Sequence, residues 1–317
     1  MTILVKYLQI LVTTAFEQAV HILDGTTYEP LVDVKGITNG LGAARSALYG
    51  TNIVPDKTGR RLLVLNDELK EQRQLDNKNE LIEAFQMFNQ STMLVTAGSS
   101  GSLRLFDYAN GGLLRETVVG SVSVNDVYIS SNDAFVVTGD ERGAARIHSA
   151  VDLTLLCELS GHLNAVRVVT MLPDNETALT ASLDGSIKVW SRKTAKCKIT
   201  LTSNTTSVTC MAVSRSSKMF ASANKDGTVV IWNSVSFQPH HTIKCNEHVA
   251  RISFVGRKDS TELIASVRKV GVEVINVQTG KIVERAASIA TSIHTHAAGK
   301  TMLFFLFCFP WKSPCRR

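Results

Sequence analysis

Three side chains in the middle of the chain are of the types that form a hydrolase catalytic triad: His162, Ser182 and Asp184. In such enzymes the serine attacks the substrate, the histidine takes its proton and the carboxylate orients the imidazole. The serine of many such hydrolases stands in a GxSxG turn between a strand and a helix, whereas Ser182 lies in the sequence TASLDG. We therefore predict no catalytic residues and no enzyme activity, and a structural role for these three side chains.

Histidine and cysteine residues near position 240 are also of types that can ligate a metal ion. The stretch HHTIKCNEH contains His240, His241, Cys245 and His248. Zinc needs three or four donors that converge on one point, whereas side chains along a strand alternate between its two faces. We expect an outer strand followed by a loop, and we predict neither a metal site nor another cofactor.

Basic residues are concentrated in one window of a chain whose formal net charge is +6. Residues 186–225 contain eight Lys or Arg residues and no acidic residue. Such a window could attract an acidic protein segment, phospholipid headgroups or nucleic-acid phosphates, although no aromatic residues alternate with it as a base-stacking platform requires. A solvated basic surface and a partner-binding patch both stay open. The basic patch comprises Arg192, Lys193, Lys196, Lys198, Arg215 and Lys218.

The composition is that of a folded protein without membrane spans. Hydrophobic residues make up 44% of the 317 residues, which excludes general disorder. No apolar run reaches the roughly 18 residues of a transmembrane helix, and no basic residue precedes the apolar N-terminal stretch as in a signal peptide. Six cysteines occur without CxxC pairs, which is typical of reduced thiols inside the cell. We expect a cytoplasmic or nuclear protein that is not secreted.

A repeat runs through most of the chain. Gly101, Gly143, Gly185 and Gly227 are each 42 residues apart. Alternating apolar residues follow each glycine, which indicates a strand with one buried face. Each glycine lies where a hairpin turn needs a positive φ angle, a conformation that a side chain with a Cβ atom disfavours. The four glycines are therefore predicted to be equivalent turn residues of successive repeats.

The same frame extends towards both ends of the chain. Each copy ends its strand on a bulky residue, and successive copies are 41 to 43 residues apart. Each copy has room for four short strands, which cannot bury both faces of their sheet alone. Packing such sheets face to face in a ring solves that problem. We predict an all-β propeller of seven four-stranded blades, whose terminal bulky residues are Leu23, Leu65, Phe106, His148, Trp190, Trp232 and Ile275.

The best copy resembles the repeat of the WD-repeat β-propeller family. It contains Gly161 and His162, then Ser182 and Asp184, and finally Trp190. The resemblance implies that His162, Ser182, Asp184 and Trp190 form a hydrogen-bonded tetrad, which joins the loop before the sheet to its tight turn. Such bonds are physically reasonable because a buried imidazole or indole N–H needs a partner.

Other copies depart from the family pattern. The next copy keeps Asp226 and Trp232 but has no Gly-His pair, and an earlier copy has Arg142 in place of the turn aspartate and His148 in place of the tryptophan. The resemblance covers nearly all of residues 8–300. It is specific in residues 160–233 and weak in residues 30–60.

Residues 1–301 are predicted to form a single propeller domain. Residues 292–298 (SIHTHAA) align with an innermost strand and would complete the first blade, which would join the two ends of the chain. The alternative is that the chain is a truncated or spliced segment of a longer propeller protein. Residues 302–317, which are apolar and then basic, would be an alternative ending.

Propellers of this family commonly bind partners on their top face, where innermost strands begin and tight turns project. In this chain Arg167, Arg251 and Lys225 are predicted to anchor an acidic or phosphorylated protein segment there. The predicted function is a non-enzymatic scaffold in an intracellular complex, with no small-molecule substrate and an undetermined oligomeric state; the alternative is a basic module for anionic phospholipid or nucleic acid. The top-face candidates are Glu83, Asn125, Arg167, Leu183, Thr209, Lys225, Arg251 and His294.

Overall fold

The computed structural model contains β-strands and turns and, within the part of the chain that it describes, no helix. None of the elements in these residues is therefore a helix long and apolar enough to cross a membrane. The described residues are 9–14, 19–24, 30–34, 44–45, 51–66, 68–202, 206–214, 216–245, 247–255, 262–267 and 271–286.

The described strands form seven antiparallel meanders, which we number as sheets 1 to 7 in chain order. Sheet 1 contains β1 (Gln9–Thr14), β2 (Ala19–Asp24) and β3 (Pro30–Val34). Sheet 2 contains β4 (Ala44–Arg45), β5 (Asn52–Pro55), β6 (Arg61–Leu65) and β7 (Glu71–Asp76). Sheet 3 contains β8 (Ile82–Met87), β9 (Met93–Gly98), β10 (Ser102–Asp107) and β11 (Gly112–Val118).

The remaining four sheets each contain four strands in sequence order. Sheet 4 contains β12 (Val124–Ile129), β13 (Phe135–Asp140), β14 (Ala144–Ser149) and β15 (Leu155–Ser160). Sheet 5 contains β16 (Val166–Met171), β17 (Thr177–Ser182), β18 (Ile187–Ser191) and β19 (Cys197–Leu201). Sheet 6 contains β20 (Val208–Val213), β21 (Met219–Asn224), β22 (Thr228–Asn233) and β23 (Pro239–Lys244). Sheet 7 contains β24 (Val249–Val255), β25 (Glu262–Val267), β26 (Gly271–Asn276) and β27 (Lys281–Ala286).

The four repeat glycines occupy the same corner of sheets 3 to 6, between the second and third strands. Gly101, Gly143, Gly185 and Gly227 have φ angles of 88°, 92°, 85° and 86°. At Gly227 a Cβ atom would lie 2.5 Å from the carbonyl oxygen of Glu247. Both the backbone conformation and the close approach of the next loop therefore require glycine at this corner.

Neighbouring sheets pack against each other with their first strands side by side, as in β12 and β16 or β20 and β24. Between sheets 5 and 6 the rings of Phe220 and Trp232 stack with their centroids 5.8 Å apart, and they pack with Val168 and Leu179. From sheet 2 to sheet 7, each sheet thus covers an apolar face of the next. The predicted all-β propeller fold is confirmed. The predicted number of blades, seven with four strands each, stays a prediction for the whole chain.

Side chains also bond the first strand of one sheet to that of the next. Oε1 of Gln86 accepts a hydrogen bond from the backbone N–H of Ile129 at 2.8 Å, and Oδ2 of Asp126 accepts one from Val169 at 2.9 Å. These backbone groups lie on the free edge of the first strand, where no further strand pairs with them. The side chains therefore satisfy donors that would otherwise lack a partner.

Several predictions about the chain ends concern segments outside the described residues. These segments are the proposed closing strand 292–298 and the tail 302–317. The division into a domain of residues 1–301 and a tail stays a prediction for the same reason.

Candidate interaction surface

The loop before sheet 5 and the turn within it are joined by a chain of side-chain hydrogen bonds. Nδ1 of His162 lies 2.9 Å from Oδ2 of Asp184, and Nε2 lies 2.7 Å from Oγ1 of Thr180. Because an ionised carboxylate only accepts, Nδ1 carries the proton and Nε2 accepts the Thr180 hydroxyl proton. Nε1 of Trp190 completes the chain by donating to the same Oγ1 at 2.8 Å.

The network differs from the predicted tetrad at Ser182. Its hydroxyl donates to the carbonyl oxygen of Asn164 at 2.9 Å and accepts the backbone N–H of Asp184 at 3.0 Å. The residue that links His162 to Trp190 is Thr180. Since Trp190 pairs across the sheet with Ala178, two residues before Thr180, its indole bonds Thr180 and not Ser182, which lies at the end of β17.

A signal for the correct residue was present in the repeat. Hydroxyl residues recur at the same 42-residue spacing on the second strands of sheets 3 to 6. In sheet 6 the second-strand serine, Ser222, accepts a hydrogen bond from Nε1 of Trp232 at 3.0 Å. This series consists of Thr96, Thr138, Thr180 and Ser222.

The carboxylate of Asp184 is committed to the protein itself. Burial alone would raise its pKa, but hydrogen bonds from the Ser186 side chain and backbone, the Leu163 N–H and His162 lower the pKa to about 2. Burial is the main cause that lowers the pKa of His162, so the imidazole is neutral near pH 7. With Ser182 bonded to the backbone, the three candidate triad residues do not form a nucleophile–base pair.

Four of the predicted top-face residues occupy β-bulges at the start of a first strand: Glu83, Asn125, Arg167 and Thr209. Glu83 and Arg167 are exposed. Asn125 donates to the carbonyl oxygen of Val166 at 3.1 Å, and it accepts a bond from Nη1 of Arg167 at 3.4 Å. The Thr209 hydroxyl likewise bonds the next first strand, at 2.9 Å from the carbonyl oxygen of Val249.

Arg251 is not equivalent to these four residues. Val249 pairs with Val267 and Arg251 pairs with Ser266, so the bulge in sheet 7 lies at Ala250. The interval from the residue before the bulge in sheet 6, Val208, to Val249 is only 41 residues, which shifts the register by one. Arg251 therefore takes the position of Asp126 in sheet 4 and is half-buried.

The position after the bulge carries a charged group in sheets 4 and 7. Desolvation raises the pKa of Asp126 to about 6, against the opposing effects of the Val169 N–H and of the positive charges of Arg251 and Arg167. Arg251, at the equivalent position of sheet 7, is half-buried and so belongs only partly to the exposed rim.

Leu183 and Lys225 are brought together at one cleft on the top face. The cleft has a volume of about 530 Å³ and lies between the turns of sheets 5 and 6. The last predicted top-face residue, His294, lies outside the described residues. The cleft is lined by Leu183, Asp184, Gly185, Thr206, Ser207, Lys225 and Asp226.

In the folded chain, one acidic residue neutralises part of the basic patch. Arg192 and Lys193 both approach Oε1 of Glu176, at 2.9 and 3.3 Å. The guanidinium of Arg192 also lies 4.3 Å from the ring centroid of Phe135. Glu176 precedes the acid-free window in sequence, so the window alone did not reveal this partner.

The other described members of the basic patch are lysines with exposed side chains. Lys198 lies 3.4 Å from the hydroxyl of Thr177, while Lys196 and Lys218 are exposed. Arg215 lies outside the described residues.

The histidines near position 240 lie at the outer strand of sheet 6. The rings of His240 and His241 are 4.3 Å apart, and Nε2 of His241 lies 2.8 Å from the carbonyl oxygen of Gln278. In the described ranges no group of three His, Cys, Asp or Glu side chains has the arrangement of a metal site.

Comparison with known proteins identifies repeats in the best-matched part of the chain. Residues 153–191 and 195–233 match the family model "WD domain, G-beta repeat". Each segment contains the outer strand of one sheet and the first three strands of the next, which are β15 to β18 and β19 to β22.

Curated relatives match larger parts of the chain. The chain is 32% identical over 209 residues to transducin beta-like protein 3 of Rattus norvegicus, covering 61% of this chain and 26% of that protein. It is 32% identical over 140 residues to autophagy-related protein 16 of Arabidopsis thaliana (42% and 27%) and 28% identical over 156 residues to apoptotic protease-activating factor 1 of Danio rerio (49% and 12%). The matched region thus spans about a quarter or less of each relative.

Among solved structures, the chain is similar to the crystal structure of the computationally designed Ika8 protein. The TM-score is 0.76 at 17% identity, covering 95% of this chain and 94% of that one. At this identity the likeness concerns the fold alone.

Proposed function

Because the chain belongs to the WD-repeat β-propeller family, we propose that it acts as a non-enzymatic platform that binds other proteins within an intracellular complex. Its relatives carry names that refer to apoptosis, autophagy and small nucleolar RNA. A shared fold with such different names is typical of an interaction scaffold rather than of one shared reaction.

One contrast within the structure carries the proposal. His162 and Asp184 are the residues best suited to chemistry, and their polar atoms are engaged in hydrogen bonds within sheet 5 and its preceding loop. Glu83, Arg167 and Lys225 on the top face are exposed and differ from blade to blade. The fold itself does not require these exposed side chains, so a binding partner is the best reason for them.

The partner segment is expected to be acidic or phosphorylated. Arg167 and Lys225 are exposed cations on the same face, and Arg251 adds a half-buried positive charge near the start of the first strand of sheet 7. Charge-assisted hydrogen bonds from arginine to carboxylate or phosphate are among the strongest that a surface offers. The basic patch supports a nucleic-acid or phospholipid module less well, because Glu176 pairs with two of its members.

Affinity purification of the full chain with quantitative mass spectrometry tests the proposal. We expect the double variant Arg167→Glu with Lys225→Glu to lose a defined subset of the proteins that the wild type retains. The matched control, Lys196→Glu with Lys218→Glu, makes the same change of charge at two other exposed lysines. Equal recovery of every partner by the wild type and both variants contradicts binding at the top face.

A further inference from the structure

The cleft between sheets 5 and 6 combines groups that the fold leaves available with groups that it has already used. Its two aspartates belong to the second kind. The four acceptor positions of Asp184 are filled by His162, Leu163 and the two groups of Ser186. The carboxylate is therefore a poor acceptor for an incoming ligand, since its hydrogen-bonding capacity is exhausted.

Asp226, on the other side of the cleft, is similarly occupied. It accepts bonds from the backbone and hydroxyl of Thr228 at 3.0 and 2.9 Å and from Nζ of Lys244 at 2.8 Å. Burial opposes ionisation, but the bonds from Lys244 and Thr228 lower the pKa of Asp226 to about 2. Its negative charge is compensated by a lysine of the same sheet and not left for a partner.

Lys225 is the cation that remains. It is exposed, it lines the cleft, and it forms no ion pair with any carboxylate in the described part of the chain. Its neighbour across the cleft is Leu183, a residue that is 37% exposed. The backbone of Leu183 is fixed by a bond to Ala165 at 3.0 Å, so this apolar wall is held in place.

We propose that the cleft binds an extended acidic segment of a partner protein, with a carboxylate on Lys225 and an apolar side chain against Leu183. This inference rests on the proposed function and names the partner chemistry of one part of the top face. The cleft, of about 530 Å³, is open to solvent, so a partner segment can reach it. The lining contains no aromatic residue on which a nucleic-acid base could stack.

A random dodecapeptide library displayed on phage and selected on the full-length chain provides the test. We expect the selected peptides to share an acidic residue near an apolar one. Synthetic copies of these peptides should bind the variant Lys225→Glu about tenfold more weakly or worse, since attraction becomes repulsion. Leu183→Asp should weaken the binding of these peptides to a similar degree, because it removes the apolar contact and adds a carboxylate that repels an acidic segment.

The control variant Lys281→Glu reverses the charge of an exposed lysine that lies outside both the cleft and the basic patch, and it should leave peptide binding unchanged. Circular dichroism and the urea midpoint of each variant show that it is folded before binding is compared. If the selected peptides lack acidic residues, or bind Lys225→Glu as tightly as the wild type, the cleft assignment is overturned while the platform function stands. If no peptide is selected and the top-face variants retain all partners in affinity purification, both proposals fail.

Discussion

Sheets 5 and 3 join the same two parts of a blade with different chemistry. In sheet 5 a neutral imidazole, that of His162, lies between the Asp184 carboxylate and the Thr180 hydroxyl. In sheet 3 the loop contributes Glu80, whose carboxylate accepts bonds from both groups of Ser100 in the turn, each at 2.7 Å. The carboxylate belongs to the turn in sheet 5 and to the loop in sheet 3, and in both sheets it bonds the loop to the turn.

A buried arginine accompanies that exchange in sheet 3. The side chain of Arg104 is 6% exposed and forms ion pairs of 2.8 Å with both Glu80 and Glu116. Phe106 stands at the position of Trp190, so there is no indole N–H to satisfy, and the Thr96 hydroxyl bonds Asn77 at 3.0 Å instead. The fold therefore requires a bond from loop to turn, and it does not require one particular set of residues.

The largest effect is expected from breaking the ionic network of sheet 3. Arg104→Ala leaves Glu80 and Glu116 without their buried partner, and such a change typically costs about 3 to 5 kcal/mol. Urea unfolding of the full chain should show this loss in the free energy of unfolding. The double variant Arg104→Met with Glu80→Gln removes both charges and should recover part of it. A loss below about 1 kcal/mol for Arg104→Ala would contradict the comparison.

The next effect concerns the link that the sequence did not identify in sheet 5. Thr180→Val keeps the shape of the side chain but leaves Nε1 of Trp190 and Nε2 of His162 without a partner, at a cost of about 2 to 3 kcal/mol. Ser182→Ala, in which the bonds lost are to the backbone, should cost about 1 kcal/mol. If Ser182→Ala lowered the urea midpoint more than Thr180→Val, Ser182 and not Thr180 would be the tetrad residue.

This difference also explains what the sequence could predict. The strands, the turn glycines such as Gly185 and the ring of sheets follow from local signals, namely period-two alternation and a fixed spacing. Family resemblance was strongest in sheets 5 and 6, where Trp190 and Trp232 keep the expected pattern. It was weaker for sheet 3, since Glu80 and Arg104 perform the same task with residue types that the pattern does not contain.

Other features depend on contacts between residues far apart in the chain. Glu176, in the turn before β17, pairs with Arg192 after β18, and the acid-free window does not contain that partner. The bulge at Ala250 follows from a repeat one residue shorter, which moved Arg251 off the exposed position assigned to it. A one-residue change of register is small in sequence and reverses where a side chain points.

Acid should weaken both networks, and the two can be separated. The pKa of Asp184 is about 2 in the folded chain against an ordinary value of 3.8, so its contribution to stability is complete above about pH 4 and is lost as the pH falls towards 2. The loss amounts to at most about 2 kcal/mol. Hydrogen bonds from Ser102 and Ser100 outweigh burial and likewise lower the pKa of Glu80.

Thermal unfolding between pH 5 and pH 2 measures this dependence, with Asp184→Asn as the test variant and Glu80→Gln as its counterpart in sheet 3. Each variant should be less stable than the wild type near pH 7 and should show a flatter fall of melting temperature with acid. If Asp184→Asn follows the wild-type slope throughout, the carboxylate is not the titrating group.

The smallest effect is expected at the exposed end of the sheet 3 network, and it isolates burial as the reason for the strength of Arg104. Lys78 forms an ion pair with the same carboxylate, Glu116, but its side chain is 55% exposed. Exposed pairs are screened by water and salt, so Lys78→Ala should cost no more than about 0.5 kcal/mol, and added salt should erase the difference. The wild type and Lys78→Ala should therefore have the same urea midpoint at high ionic strength, whereas Arg104→Ala should stay destabilised there. A salt-independent loss for Lys78→Ala comparable to that of Arg104→Ala would mean that proximity to Glu116, and not burial, determines the strength of the network.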